Sequence, residues 1–332
     1  MTMRVLFLIQ GYEHPASRYR VLQYLGSLRA AGVEDRVAVF PKNRAEWKSL
    51  ENEFQHCDIV FVQKKRLKKR QADFIRRCGG ARIVFDVDDA VMYKSSRAST
   101  HHSWTRMRAF VRMCKLADFV IAGNSYLEGM VRKYNEFTAI IPTSINTDLY
   151  PEKADYDGET IVLGWIGGKK SLVFIEELAP VFEDVYTKFP QARLKLVCND
   201  FFDLPNMPVI KKQWVEAEEG ADVMSFDVGL APLPDDPWAR GKCATKLLQC
   251  MAAGVPCVAS AVGVHKEIVN AGENGYLART HAEWREHLLR MCGEVALRER
   301  LGRTCRDTVE EKYSLRSSVP KMLAVFGRMM KI

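Results

Sequence analysis

The chain has 332 residues, a length that predicts two domains of about 150 residues and excludes a mini-protein or a disordered tail. Apolar residues make up 47% and charged residues 27%, with 21 Gly and 13 Pro, the balance of an ordinary folded protein and not of a low-complexity one. Lys plus Arg number 49 against 41 Asp plus Glu, and residues 1–150 hold 25 of the basic and 15 of the acidic side chains, so the basic excess lies in the first half, which is expected to face something anionic.

The opening MTMRVLFLIQGYEHP carries five apolar residues in a row before Gln10, too few for a secretory leader or a membrane span. Short apolar runs follow at 5–9, 37–40, 59–63, 82–88, 119–124 and 138–142, separated by amphipathic stretches such as 17–31, 67–78 and 101–116. This alternation predicts parallel strands with helices on both faces of a sheet, so residues 1–148 read as one Rossmann-like domain. Residues 149–159 have no hydrophobic period and read as a linker. The pattern then resumes at 160–168, 192–200, 207–214, 225–233, 256–260 and 275–278, giving a second Rossmann-like domain over 160–315. A helix over 316–332 is expected to pack back toward the first domain. The nine cysteines are odd in number, scattered and free of any Cys-x-x-Cys pair, which points away from a disulfide framework or a zinc site and toward a reducing cytoplasm.

In the first domain, QGYEHPASRYR (10–20) links the first strand to a helix whose start falls at Pro15–Ser17, placing Gly11, Ser17 and Arg18 at the strand ends. KKRLKKR (64–70) puts Lys64, Lys65, Arg66, Lys68, Lys69 and Arg70 on one connection. Such a strip suits an anionic membrane surface or polyphosphate, or is simply a solvated basic helix; nucleic acid is not expected, because no aromatic side chains interleave for base stacking. Asp86, Asp88 and Asp89 end an apolar strand, where acids are costly unless solvated or used, or unless, at Asp89, one caps a helix. His14, His101 and His102 are candidate bases or solvated loop histidines. Asn124 ends the fifth strand.

In the second domain, GWIGGKKSL (164–172) runs a strand into Gly167, Gly168, Lys169 and Lys170 before a helix near Ser171, a backbone pattern able to approach a phosphate. Trp214 either packs beside a nucleobase or belongs to the core. After Leu233 a Pro-rich loop precedes a helix expected to start at Gly241 or Lys242 and stop at Gly254. Taking Lys242 as the reference, Lys246 and Gln249 fall on its polar face with Lys242, opposite Leu247, Leu248 and Met251. Two lysines at a helix start oppose the dipole unless an anion sits between them; the alternative is a solvated lysine face.

The order PLPDDPWARGKCATKLLQCMAAGVPCVAS, GVHKEIV, GENGYLA over 232–278 resembles the donor segment of family 4 (group 1) glycosyltransferases. ASRYRVLQYLGSLRAAG, VFDVDDAV, ADFVIAGNSYL and IPTSINTDLY extend the likeness along the chain. The resemblance implies an α/β chain of GT-B fold, two Rossmann-like domains facing across a cleft. It also implies a retaining, metal-independent transfer of a sugar from a nucleotide diphosphate sugar to a hydroxyl of a glycan or glycolipid, with no cofactor. Gly167, Gly168, Lys169, Lys170, Lys242, Thr245, Lys246 and Gln249 would then bind the donor, and Gly11, Ser17, Arg18, His101, His102 and Asn124 the acceptor. Asp88, Asp89 and Lys246 would act in catalysis, in a cytoplasmic protein whose membrane contact, if any, is peripheral on the inner face. Two carboxylates that the family carries with seven residues between them are here Gly241 and Gln249. That departure keeps two alternatives open: an inactive sugar-nucleotide or polyanion binding protein, and a GT-B sugar-nucleotide epimerase.

Overall fold

A computed structural model describes residues 3–330, which divide into two compact units. The first comprises residues up to Ser144, the excursion Asp236–Cys243 and the terminal stretch from Leu315; the second comprises Ile145–Asp235 and Ala244–Ser314. The stretch 149–159 therefore belongs to the second unit and is no free linker. Tyr156 explains this: its ring is buried, its hydroxyl donates to the Gly254 carbonyl at 2.7 Å, and its own carbonyl accepts from Arg298.

The first unit holds a parallel sheet of β1 (Met3–Ile9), β2 (Val33–Val39), β3 (Ile59–Gln63), β4 (Arg82–Val87), β5 (Phe119–Ala122) and β6 (Thr138–Ile140), in the order β2-β1-β3-β4-β5-β6. The inner strands β1, β3, β4 and β5 coincide with apolar runs, because a parallel strand covered on both faces has no solvent side to make it alternate, whereas the edge strand β2 begins at Val33, ahead of the run at 37–40. One face packs against Phe54, Ile75, Phe110 and Met113. The other is closed by Val21, Tyr24 and Leu28 together with Met322, Val325, Phe326 and Met329 of the helix Leu315–Met329. Arg20 lies under this second layer at 1% exposure. Its Nε and Nη2 donate to Asp86 Oδ2 and Oδ1 at 3.1 and 2.5 Å, and its Nη1 donates to the Ile141 and Pro142 carbonyls.

The second unit repeats the plan with β7 (Ile161–Ile166), β8 (Ala192–Cys198), β9 (Val209–Gln213), β10 (Val228–Ala231), β11 (Cys257–Ser260) and β12 (Gly275–Ala278), all parallel and ordered β12-β11-β10-β7-β8-β9. Its core gathers Leu163, Trp165, Phe182, Leu194, Leu196 and Leu288. In open sheets of this kind ligands bind beyond the carboxyl ends of the strands, where the strand order reverses. Those points fall between β1 and β3 in the first unit and between β7 and β10 in the second.

Candidate functional site

Beyond β7 and β10 the second unit builds one anchored cation. The helix Thr245–Ala252 carries Lys246, whose Nζ donates to Ser171 Oγ at 2.8 Å and lies 4.5 Å from the centre of the Trp165 ring. Gly167 makes this placement possible: a Cβ there would stand 2.5 Å from Lys246 Nζ and 2.6 Å from Trp165 Cζ2. Ser171 is positioned in turn by a tight turn, its N–H and its hydroxyl both donating to the Gly168 carbonyl. His265, after β11, is buried, with Nδ1 3.0 Å from the Ser260 carbonyl. Burial lowers its pKa to about 4, the Ser260 hydrogen bond works the other way, and the charge of Lys246 adds to the lowering. The imidazole is therefore neutral at physiological pH, so Lys246 carries the charge of this pair alone.

The surrounding residues depart from the sequence expectations in a consistent way. The helix starts at Thr245 and not at Gly241 or Lys242, because Ala244 takes the left-handed conformation at φ 54° and breaks the spiral. Lys242 is thus extended backbone before the helix, shares no face with Lys246, and belongs to the first unit. Lys169 is committed to Asp200 at 2.9 Å, while Lys170 is exposed and makes no ion pair among the described residues. Gln249 is buried, its Nε2 donating to the Tyr150 hydroxyl at 3.2 Å, and Tyr150 donates to Glu219. Trp214 joins the same network through Nε1 to Glu219 at 2.9 Å. Gln249 and Trp214 therefore brace the second unit's interior. Gly241 lies against Ala90 in the first unit, where even a Cβ would approach the Ala90 Cβ to 2.6 Å; the site has no room for a carboxylate there.

Beyond β1 and β3 the first unit gathers a polar cluster. Gln63 Oε1 accepts from the Gln10 N–H at 3.1 Å and from Ser17 Oγ at 3.0 Å. The buried amide nitrogens of Gln10 and Gln63 have no hydrogen-bond partner, which marks a place for an incoming oxygen acceptor. Lys64 adopts the left-handed region at φ 58° and turns its Nζ to Asp88 Oδ1 at 3.4 Å and Asp89 Oδ2 at 3.0 Å. Lys242 reaches Asp89 at 3.1 Å while its Nζ stands 3.7 Å over the Trp238 ring. Burial alone would raise the Asp89 pKa, but Lys242 and Lys64 outweigh it and hold the carboxyl below its ordinary value. Asp89 is for that reason a weak proton acceptor, and it caps no helix, its Oδ1 accepting from the Ala90 N–H. Asp88 Oδ1 is buried and faces Lys64 Nζ at 3.4 Å, a longer approach than the 3.0 and 3.1 Å that Lys64 and Lys242 make to Asp89. His14 caps the helix Pro15–Arg20 through Nδ1, and burial and then Lys64 lower its pKa.

A depressed carboxyl pKa makes stability pH-dependent with a definite sign. The contribution of Asp89 is complete above the ordinary carboxylate range near 4 and is lost as pH falls through the depressed folded value. Asp89→Asn should therefore cost about 1–3 kcal/mol in urea unfolding at pH 7, and the gap to wild type should close as pH falls through the depressed folded value. A gap that is constant with pH would show that Asp89 is not held by charge.

Other expected acceptor residues serve the fold. Asn124 caps the helix Ser125–Val131 with Oδ1 and donates from Nδ2 to the Lys242 carbonyl, pinning the excursion 236–243 onto the first unit. Ser17 is fully buried on Gln63, and Arg18 donates to the Tyr19 hydroxyl at 2.6 Å. Gly11 turns the chain at φ 156°. His102 is exposed against the edge of Tyr93, and the His101 carbonyl accepts from Lys94; neither ring is bonded to Asp88 or Asp89. The basic run is divided: Lys64 turns inward, Arg66 donates to the Val91 carbonyl, Leu67 is buried, and Lys65, Lys68, Lys69 and Arg70 stay exposed. Gln10, Gln63, Lys64, Trp165 and His265 were not singled out as site residues from sequence. Their signal was position alone, each lying at or just beyond a strand end.

Residues 174–294 match the family model described as Glycosyl transferases group 1. Apart from the excursion Asp236–Cys243, the matched stretch lies in the second unit. That segment includes Lys246, Gln249 and His265 and begins just after the turn at Gly168–Ser171. No curated protein matches the chain by sequence. Among solved structures, sucrose-phosphate synthase from Thermosynechococcus elongatus aligns with a TM-score of 0.76 at 16% identity over 100% of both chains. Anabaena Alr3699/HepE in complex with UDP and glucose aligns at 0.71 and 13% identity, over 98% of this chain and 100% of that one. WaaG, a glycosyltransferase involved in lipopolysaccharide biosynthesis, aligns at 0.68 and 15% identity over 97% and 99%. The chain has the GT-B fold. Among the described residues no helix is long and apolar enough to cross a membrane.

Proposed function

We propose that the protein transfers a sugar from a nucleotide diphosphate sugar to a hydroxyl of a glycan or glycolipid, with retention of configuration and without a metal ion. The observation that carries the reading is Lys246, a single ammonium fixed by Ser171 and Trp165 over a glycine at the reversal point of the second sheet, within the group 1 segment. A cation held in place before reaction stabilises the charge that grows on a departing diphosphate without reorganising. The neutral His265 and the N–H groups near Gly168 complete a polar surface for phosphoryl oxygens. In the first unit, the unpartnered amide nitrogens of Gln10 and Gln63 and the carboxylate of Asp88, held by Lys64, suit the hydroxyls of an acceptor. That HepE was solved with UDP and glucose supports a uridine nucleotide as the first donor to try.

A second reading, a sugar-nucleotide binding protein without turnover, is favoured by one observation: Gly241 packs too tightly on Ala90 to admit the carboxylate that the family resemblance implies there. A thermal-shift comparison of UDP, GDP, ADP, TDP and CMP separates the two when followed by a transfer assay. One diphosphate at a hundred times its Kd should stabilise the protein by about 2.7 kcal/mol. Stabilisation with transfer to an acceptor supports the first reading, stabilisation with no transfer the second, and no stabilisation by any nucleotide would sink both.

A further inference from the structure

The basic run that the site does not use leads to a second feature of the first unit. A cavity of about 560 Å³ lies between the helix Arg44–Ser49 and the helix Lys69–Gly79. Lys42, Arg44, Lys48, Lys68, Arg70 and Arg77 line it, and Glu51 is the one carboxylate among its lining residues. Among the described residues none of the six cations forms an ion pair. Elsewhere in the unit basic side chains are regularly paired, as in Arg4 with Asp58, Arg29 with Asp35 and Arg76 with Asp118. Concentrating unpaired like charges around a concavity costs self-repulsion, which a multiply charged anion relieves.

Two further observations turn this patch into a site. Trp47 lines the cavity and is 7% exposed, yet its buried Nε1 has no hydrogen-bond partner. Its ring is locked by Phe54 and Phe40, both with centroids at 5.7 Å, so the indole cannot swing out to water. A buried donor without an acceptor is unfavourable, and it is matched when an incoming ligand brings an oxygen. Phe74 adds apolar lining opposite. The volume lies within the range of small-molecule sites.

We infer that this cavity binds a compact, soluble ligand bearing at least two phosphoryl groups. The side-chain charge calls for a polyanion. The concave, half-open shape and the position of the cations around it favour a small ligand over a flat lipid face, which would meet the exposed Lys65 and Lys69 outside the cavity instead. The inference does not rest on the transfer reading, since it concerns a different part of the first unit.

The test uses the full chain in a Lys246→Ala background, so that the phosphate site of the second unit does not contribute, with inorganic tripolyphosphate titrated calorimetrically. Saturable binding near one to one is expected, and each of Arg44→Ala and Arg70→Ala should weaken it about tenfold, as loss of a charge-assisted hydrogen bond does. The distant exposed Arg316→Ala should leave it unchanged, and unfolding temperatures establish that all variants fold. Trp47→Phe, which keeps the ring packing and deletes the donor, should weaken binding severalfold. Equal affinity in wild type, Arg44→Ala and Arg70→Ala overturns the inference. So does binding to vesicles of anionic phospholipid with none to tripolyphosphate, which would assign the charge to a membrane surface.

Discussion

Lys246→Ala should lower the rate of sugar transfer by about 10²–10³-fold, the usual effect of removing one preorganised group from the site of developing charge. Its affinity for a nucleoside diphosphate should fall as well. Stability should change little, because Lys246 is half-exposed and its bond to Ser171 is to a neutral hydroxyl. Gly167→Ala approaches the same loss from the opposite side. Its new Cβ would meet Lys246 Nζ and the Trp165 ring, and Trp165 is 1% exposed and cannot retreat, so the ammonium must move. A drop of about tenfold in transfer rate is expected from a displaced but retained charge. Lys246→Arg should recover little, since the longer planar fork does not fit a space shaped for an ammonium. Steady-state kinetics decide: undiminished transfer by Lys246→Ala would remove the central support for the proposed function.

The largest effect on stability should come from Asp86→Ala. This change strips the carboxylate from a fully buried guanidinium that otherwise makes two hydrogen bonds to Asp86 and two to backbone carbonyls. Burial would lower the Arg20 pKa, and the charge of Asp86 outweighs it and raises it, so Arg20 stays charged and would be left unpaired. Breaking such a pair costs about 3–5 kcal/mol, visible in urea unfolding as a shift of midpoint at unchanged slope. The double change Arg20→Met with Asp86→Leu should restore most of the loss, because it removes both desolvated charges at once. A cost below about 1 kcal/mol for Asp86→Ala, within the range of exposed pairs, would mean that water reaches the pair. The pair ties the helix Pro15–Arg20 to β4 and so holds Ser17 where it can donate to Gln63. A transfer defect in Asp86→Ala would accordingly be indirect.

The sequence by itself determined the architecture. Each of the twelve strands overlaps a run read from the chain, the edge strand β2 only over its last three residues, and the helices Lys69–Gly79 and Trp104–Leu116 match the amphipathic stretches to within a few residues. Such local signals survive because each buried parallel strand must be apolar wherever it sits in the sheet. Lys246 drew notice in the sequence because it follows a strand and a Pro-rich loop in a segment whose residue order is itself distinctive. What only the tertiary structure decided is the partner of each charge. The left-handed turns at Lys64 and Ala244 are backbone choices that no side-chain pattern announces, yet the first sends Lys64 onto Asp88 and Asp89, and the second separates Lys242 from the helix of Lys246. Helical projection assumes an unbroken spiral, and one residue at φ 54° voids it. Asp86 and Asp89 illustrate the same limit: three positions apart at one strand end, they pair with Arg20 and with Lys64 and Lys242 respectively. Charge pairing depends on distances of 3–4 Å between residues far apart in the chain, and those distances exist only once the sheets have formed.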